Sequence, residues 1–156
     1  MQKNLFPRPI YEEPFESTLD RGKQSMLERM ILLQSMRQRI AELEVSIAKH
    51  ILKVAQDNLE NARKDLNLQT RVVVKKRDSL NKHYTLTPVS ARQICEWRQQ
   101  VDGLLNSLAL RSQEINKFQI NTEQALIDLD SRIARRRLIR LRKEKYTVMC
   151  DSLDEE

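Results

Sequence analysis

The chain has 156 residues, 32% of them charged and 4% aromatic, with two glycines, four prolines and a formal net charge of +6. Globular domains average about 7% Gly and about 5% Pro, so this scarcity of turn formers excludes sandwiches, barrels and doubly wound sheets. Gly22 and Gly103 are too far apart for a glycine-rich phosphate loop, and so few aromatics cannot line a deep substrate pocket; a non-enzymatic binding or structural protein made of few, long helices is expected.

Residues 1–16 read as an extended arm. Pro7, Pro9 and Pro14 fix φ and bias their predecessors away from helical geometry. The arm still carries Leu5, Phe6, Ile10, Tyr11 and Phe15, enough apolar surface either to fold back on its own helix or to dock on a partner. Helix one is predicted over about 17–82, with Ser17 or Asp20 able to cap its first turn. Its apolar stripe steps by three and four through Met26, Met30, Leu33, Met36, Ile40, Leu43, Ile47, Ile51 and Val54, then Leu59, Ala62, Leu66, Val73 and Leu80. That is a coiled-coil seam, with a stutter over Leu43, Ile47 and Ile51. Around Gln69 to Val74 the stripe thins and weak helix formers predict local fraying.

A tip is placed at about 83–87, and Thr87 with Pro88 reads as the cap and first residue of helix two, predicted over about 88–149. Its stripe runs through Ile94, Trp97, Val101, Leu104, Leu108, Arg111, Ile115, Phe118, Thr122, Ala125 and Leu129. It then shifts phase to Ile133 or Ala134, Leu138, Leu141 and Val148. So regular a stripe needs a second helix along it. Residues 151–156 are acidic at a helix C-terminus and are expected to fray.

Two such helices with a short connection fold back antiparallel. The predicted fold class is therefore all-α: a long antiparallel two-helix coiled-coil hairpin over 17–150, with the extended arm before it. Centring the tip on Thr85 and Leu86 puts facing residues at numbers summing to about 171. That places Leu66 by Leu104, Val54 by Phe118, Ile47 by Ala125, Leu43 by Leu129 and Leu33 by Leu138. At 1.5 Å per residue the result would be a rod of roughly 93 Å, with Cys95 and Cys150 too far apart for a disulfide. Two reduced thiols suit a cytoplasmic location, as does the lack of any apolar run long enough to span a membrane.

Chemistry-bearing clusters are sparse. His50 and His83 have no metal-ligand spacing to another ligand, and neither a metal nor another cofactor is expected. Glu42 and Glu44 point to different sides of their helix and read as solvating charges. One segment stands out: 132–145 holds Arg132, Arg135, Arg136, Arg137, Arg140, Arg142, Lys143 and Lys145 against Glu144 alone. Those fourteen residues carry eight positive charges and one negative, leaving the rest of the chain slightly acidic. The block reads as a solvated helix face, as a surface for an acidic protein, or as a nucleic-acid contact. Leu138 and Leu141 are expected to hold the seam while cations surround them. Few carboxylates are expected opposite, with Glu28 alone among Arg21, Lys23, Arg29, Arg37 and Arg39. At the tip, Lys75, Lys76, Arg77, His83, Tyr84 and Trp97 form a second candidate partner site, with Trp97 either an anchor or a seam residue.

Taken with RRRLIRLRKEKY near the end of helix two and a polar tip, this organisation resembles the central-stalk proteins of type III secretion and flagellar export, the FliJ and YscO/HrpO group. The resemblance covers residues 17–150; the proline-containing arm is outside it. It implies a non-enzymatic stalk seated in the central hole of a hexameric secretion ATPase, like the γ subunit of a rotary ATPase. Such a stalk would stimulate the ATPase and link it to the export gate protein, with free secretion chaperones as further partners. It implies a cytoplasmic place peripheral to the inner-membrane export apparatus, with no membrane insertion. The competing classes are a nucleic-acid-binding coiled coil acting through the Arg-rich helix, and a passive coiled-coil adaptor in another assembly.

Overall fold

The computed structural model describes residues 14–86 and 88–155, and for 14–17 the backbone alone. The extended arm, apart from its last residues, therefore lies outside the described residues, as does the capping role expected of Thr87. Two helices make up the fold, α1 (Pro14–Leu86) and α2 (Ala91–Asp154), and no strand occurs among the described residues. The fold class is the all-α, two-helix hairpin that scarcity of turn formers predicts.

α1 extends beyond both of its expected bounds, whereas α2 starts later and ends later than expected. Pro14 begins α1, where a missing N–H costs nothing and the fixed φ already suits the helix, so the extended reading of 14–16 is overturned. No proline interrupts the chain between Pro14 and Pro88, and α1 continues through the stretch where fraying is expected, with Val73 buried. Its end at Leu86 follows from Pro88, which disfavours helical geometry at the position before it. α2 starts at Ala91, three residues beyond the start expected at Pro88, and Ser90 and Gln93 cap it. Gln93 N donates to Ser90 Oγ at 3.4 Å and Ser90 N donates to Gln93 Oε1 at 2.9 Å. This reciprocal pair satisfies two amides that a helix start leaves without partners. At the other end α2 runs on to Asp154, where Gln24 Nε2 donates to Asp154 Oδ1 at 2.7 Å, so residues 151–154, expected to fray, are helical.

The chain divides into two compact units, a terminal unit (Met1–Leu43 with Ala134–Glu156) and a tip unit (Glu44–Ile133). Each contains a stretch of α1 antiparallel to a stretch of α2. In the tip unit, Asn81 meets Trp97 and Glu44 meets Arg132; in the terminal unit, Gln24 meets Asp154 and Glu42 meets Arg140. Facing numbers sum to about 178 in both, one heptad beyond the expected register. The higher sum comes from where the connection sits: α1 ends at Leu86 rather than at 82 and α2 starts at Ala91 rather than at 88, which moves the turning point towards Val89.

The core of the tip unit is Val45, Ala48 and Leu129, with Leu52 and Ile133 packed against it. The α2 stripe from Trp97 to Leu129 faces inward as predicted, with Arg111 exposed at its polar gap. On α1 the stripe is inward only at Met30 in the terminal unit and at Leu59, Ala62, Leu66, Val73 and Leu80 in the tip unit. Nearer the N-terminus the seam instead uses Gln34, Ala41, Val45 and Ala48. Leu33, Met36, Ile40 and Leu43 in the terminal unit, and Ile47, Ile51 and Val54 in the tip unit, stand exposed. The expected Val54 to Phe118 pairing gives way to a groove that Phe118 lines with Ala62 and Leu66, and Leu129 joins Val45 and Ala48 in place of Leu43.

Candidate functional site

The basic stretch is held on α2, a helix free of proline throughout, so its eight cations keep helical spacing and fan out around the axis. Arg132 falls in the tip unit and Arg135 to Lys145 in the terminal unit. Arg132 is committed to its own fold: Nη1 meets Glu44 Oε2 at 3.0 Å and Nε meets Asp128 Oδ1 at 3.5 Å. The hydrogen bond to Glu44, aided by the charge of Asp128, raises the pKa of its guanidinium further. Arg140 Nη2 meets Glu42 Oε1 at 3.4 Å, and Gln38 Nε2 donates to the same oxygen at 3.1 Å. The Gln38 hydrogen bond and then that of Arg140 hold the Glu42 carboxyl below its ordinary range.

Two sequence expectations are corrected here. Glu42 and Glu44 are ion-pair partners of α2 arginines rather than solvating charges, because the one-heptad shift brings them opposite the basic stretch. Leu138 and Leu141 do not hold the seam, since they are 56% and 51% exposed, and Val148 is exposed as well. The α2 seam of the terminal unit instead takes Arg136, Ile139, Lys143, Tyr146 and Cys150, all buried or half-buried.

The cations therefore sort into three kinds. Arg132 and Arg140 are ion-paired with α1. Arg136 and Lys143 are half-buried along the seam, where long aliphatic stems cover apolar surface. Arg135, Arg137, Arg142 and Lys145 are exposed, and at about 100° per residue they flank or interleave with Leu138 and Leu141. An apolar centre edged by cations results, a feature that the sequence reading missed by assigning those leucines inward.

The tip candidates lie together in the tip unit. Trp97 Nε1 donates to Asn81 Oδ1 at 2.9 Å, and the two line an open cleft of about 480 Å³ with Tyr84, Thr85, Val89 and Ile94. Trp97 is half-buried, a seam residue that also walls this cleft. His83 meets Tyr84 edge to face, with ring centroids 5.2 Å apart. Lys75 and Lys76 line a neighbouring groove with Leu80, Gln100 and Leu104, whereas Arg77 lines neither. Nothing in the spacing of Asn81 marks it as the partner of Trp97, since a pairing across the turn is set by register.

Both cysteines are free thiols, Cys95 exposed and Cys150 buried. Burial, followed by the charges of Asp154, Glu28 and Asp151, pushes the Cys150 thiol up. Among the described residues no three His, Cys, Asp or Glu side chains converge to hold a metal ion, and no helix is long and apolar enough to cross a membrane. No family model, curated protein or solved structure matches the chain.

Proposed function

We propose that this chain is a non-enzymatic central-stalk protein of a type III secretion or flagellar export system. In this reading it engages the hexameric secretion ATPase through the basic stretch, stimulates it, and links it to the export gate from the cytoplasmic side of the inner membrane. The observation that carries the reading is the exposed face of α2 formed by Leu138 and Leu141 with Arg137, Arg142 and Lys145 around them. Apolar side chains edged by arginine have the anatomy of a protein contact, in which a desolvated centre supplies affinity and charged edges supply orientation and on-rate. A surface for phosphate would need the cations alone and would gain little from exposed leucines. The antiparallel helix pair and the resemblance at RRRLIRLRKEKY support a secretion ATPase as the partner.

Three residues are best suited to the test, because Arg132 and Arg140 are tied to α1 carboxylates and changing them would also remove those ion pairs. Arg137, Arg142 and Lys145 changed together to Glu should abolish stimulation of ATP hydrolysis by the purified secretion ATPase while the helical circular dichroism stays unchanged. Retained stimulation would remove this face from the mechanism. A parallel titration with duplex DNA should show no binding at physiological salt; tight binding with a steep salt slope would favour the nucleic-acid class instead.

A further inference from the structure

Over residues 33–43 of the terminal unit, α1 is turned the opposite way to what apolar burial alone would select. The side chains facing α2 are Gln34, Ser35, Gln38 and Ala41, all buried or half-buried. Those facing outward are Leu33, Met36, Ile40 and Leu43, between 46% and 64% exposed. Their spacing of three, four and three is that of a coiled-coil seam, and among the described residues no helix lies along it. Gln34 makes the inversion plainer: it is 4% exposed and its Oε1 accepts no hydrogen bond.

The edges of the strip say what kind of helix fits. At about 100° per residue, Arg37 and Arg39 fall on opposite flanks of it, and neither has an ion-pair partner among the described residues. The carboxylate next along this stretch, Glu42, is already bound by Arg140 and Gln38. A second copy laid strip to strip would therefore bring arginines to arginines with no free carboxylate of residues 33–43 to meet them. We propose that Leu33, Met36, Ile40 and Leu43 are the docking strip for one helix of a partner protein, amphipathic and acidic along both edges of its apolar face. Such a helix would seat its apolar positions between the four side chains and place its carboxylates over Arg37 and Arg39. This inference stands apart from the stalk reading, which concerns α2.

The test uses the full chain and two labelled three-heptad peptides, both with Leu and Ile at the a and d positions, one with Glu and the other with Lys at the e and g positions. The acidic peptide should bind and the basic one should bind at least about tenfold more weakly. Ile40→Ser with Leu43→Ser should weaken acidic-peptide binding by at least about tenfold without loss of helicity, since both side chains are exposed. Arg37→Glu with Arg39→Glu should do the same. A control carrying Leu138→Ser and Leu141→Ser on α2 should retain binding. The proposal is overturned if neither peptide binds, if both bind equally, or if only the α2 control loses binding. It is also overturned if light scattering shows the chain to be a dimer that Ile40→Ser with Leu43→Ser separates, because a second copy would then be the occupant.

Discussion

Gln34 and Glu42 are two polar side chains on one stretch of α1 with opposite consequences. Gln34 places an amide in the helix interface with an acceptor unsatisfied, which costs about 1–3 kcal/mol. Gln34→Leu should therefore stabilise the protein by an amount of that order, read as a higher thermal or urea midpoint; an unchanged or lower midpoint would mean that the amide is satisfied in solution. Glu42 is satisfied twice, by Gln38 and Arg140, and its pKa lies below the ordinary value. A carboxyl with a depressed folded-state pKa contributes stability that is present above its unfolded pKa and is lost as pH falls through the folded one. An NMR titration should find Glu42 ionising below the ordinary glutamate value, and Arg140→Gln should move it back up towards that value. Neither behaviour was legible in the sequence, where Glu42 is one of many surface charges. Its partner is set by how the other helix lies against it.

Between the two helices, legibility was unequal. The α2 seam from Trp97 to Leu129 follows the largest apolar side chains and lands inward along nearly its whole length, because those residues are the only apolar stripe that this stretch offers. On α1 two stripes compete near the N-terminus, and the rule that the largest apolar side chains turn inward picks the wrong one. The seam takes Ala41, Val45 and Ala48 instead. In the tip unit, small side chains let α1 lie close against Leu129 and Ile133, large against small as close packing favours. The inward face of Glu44, whose carboxylate meets Arg132, is part of the same choice. The contrast is measurable: Leu129→Ala should cost about 2 kcal/mol or more, whereas Ile47→Ala, at a side chain 59% exposed, should stay within about 0.5 kcal/mol. Equal costs would put Ile47 back in the seam. The helix ends were misplaced for a local reason: Thr87 with Pro88 and Ser90 with Gln93 are both competent starts, and the second completes a capping box.

For the molecule as a whole, composition alone conveyed the fold class, since few turn formers and two periodic stripes leave little besides paired helices. Register was the missing quantity, and with it most of the candidate site. A shift of one heptad turns Glu42 and Glu44 into partners of Arg140 and Arg132, and the phase of the α2 seam turns Leu138 and Leu141 outward. The basic stretch thereby becomes two paired arginines, two half-buried seam cations and an exposed, leucine-centred face. Register and facing can be read directly by disulfide trapping in a chain with Cys95 and Cys150 replaced by Ser. Ala48→Cys paired with Leu129→Cys should form an intrachain disulfide readily under mild oxidation, while Ile47→Cys paired with Ala125→Cys should not. Preferential trapping of the Ile47 and Ala125 pair would contradict both the facing of α1 and the one-heptad register described here.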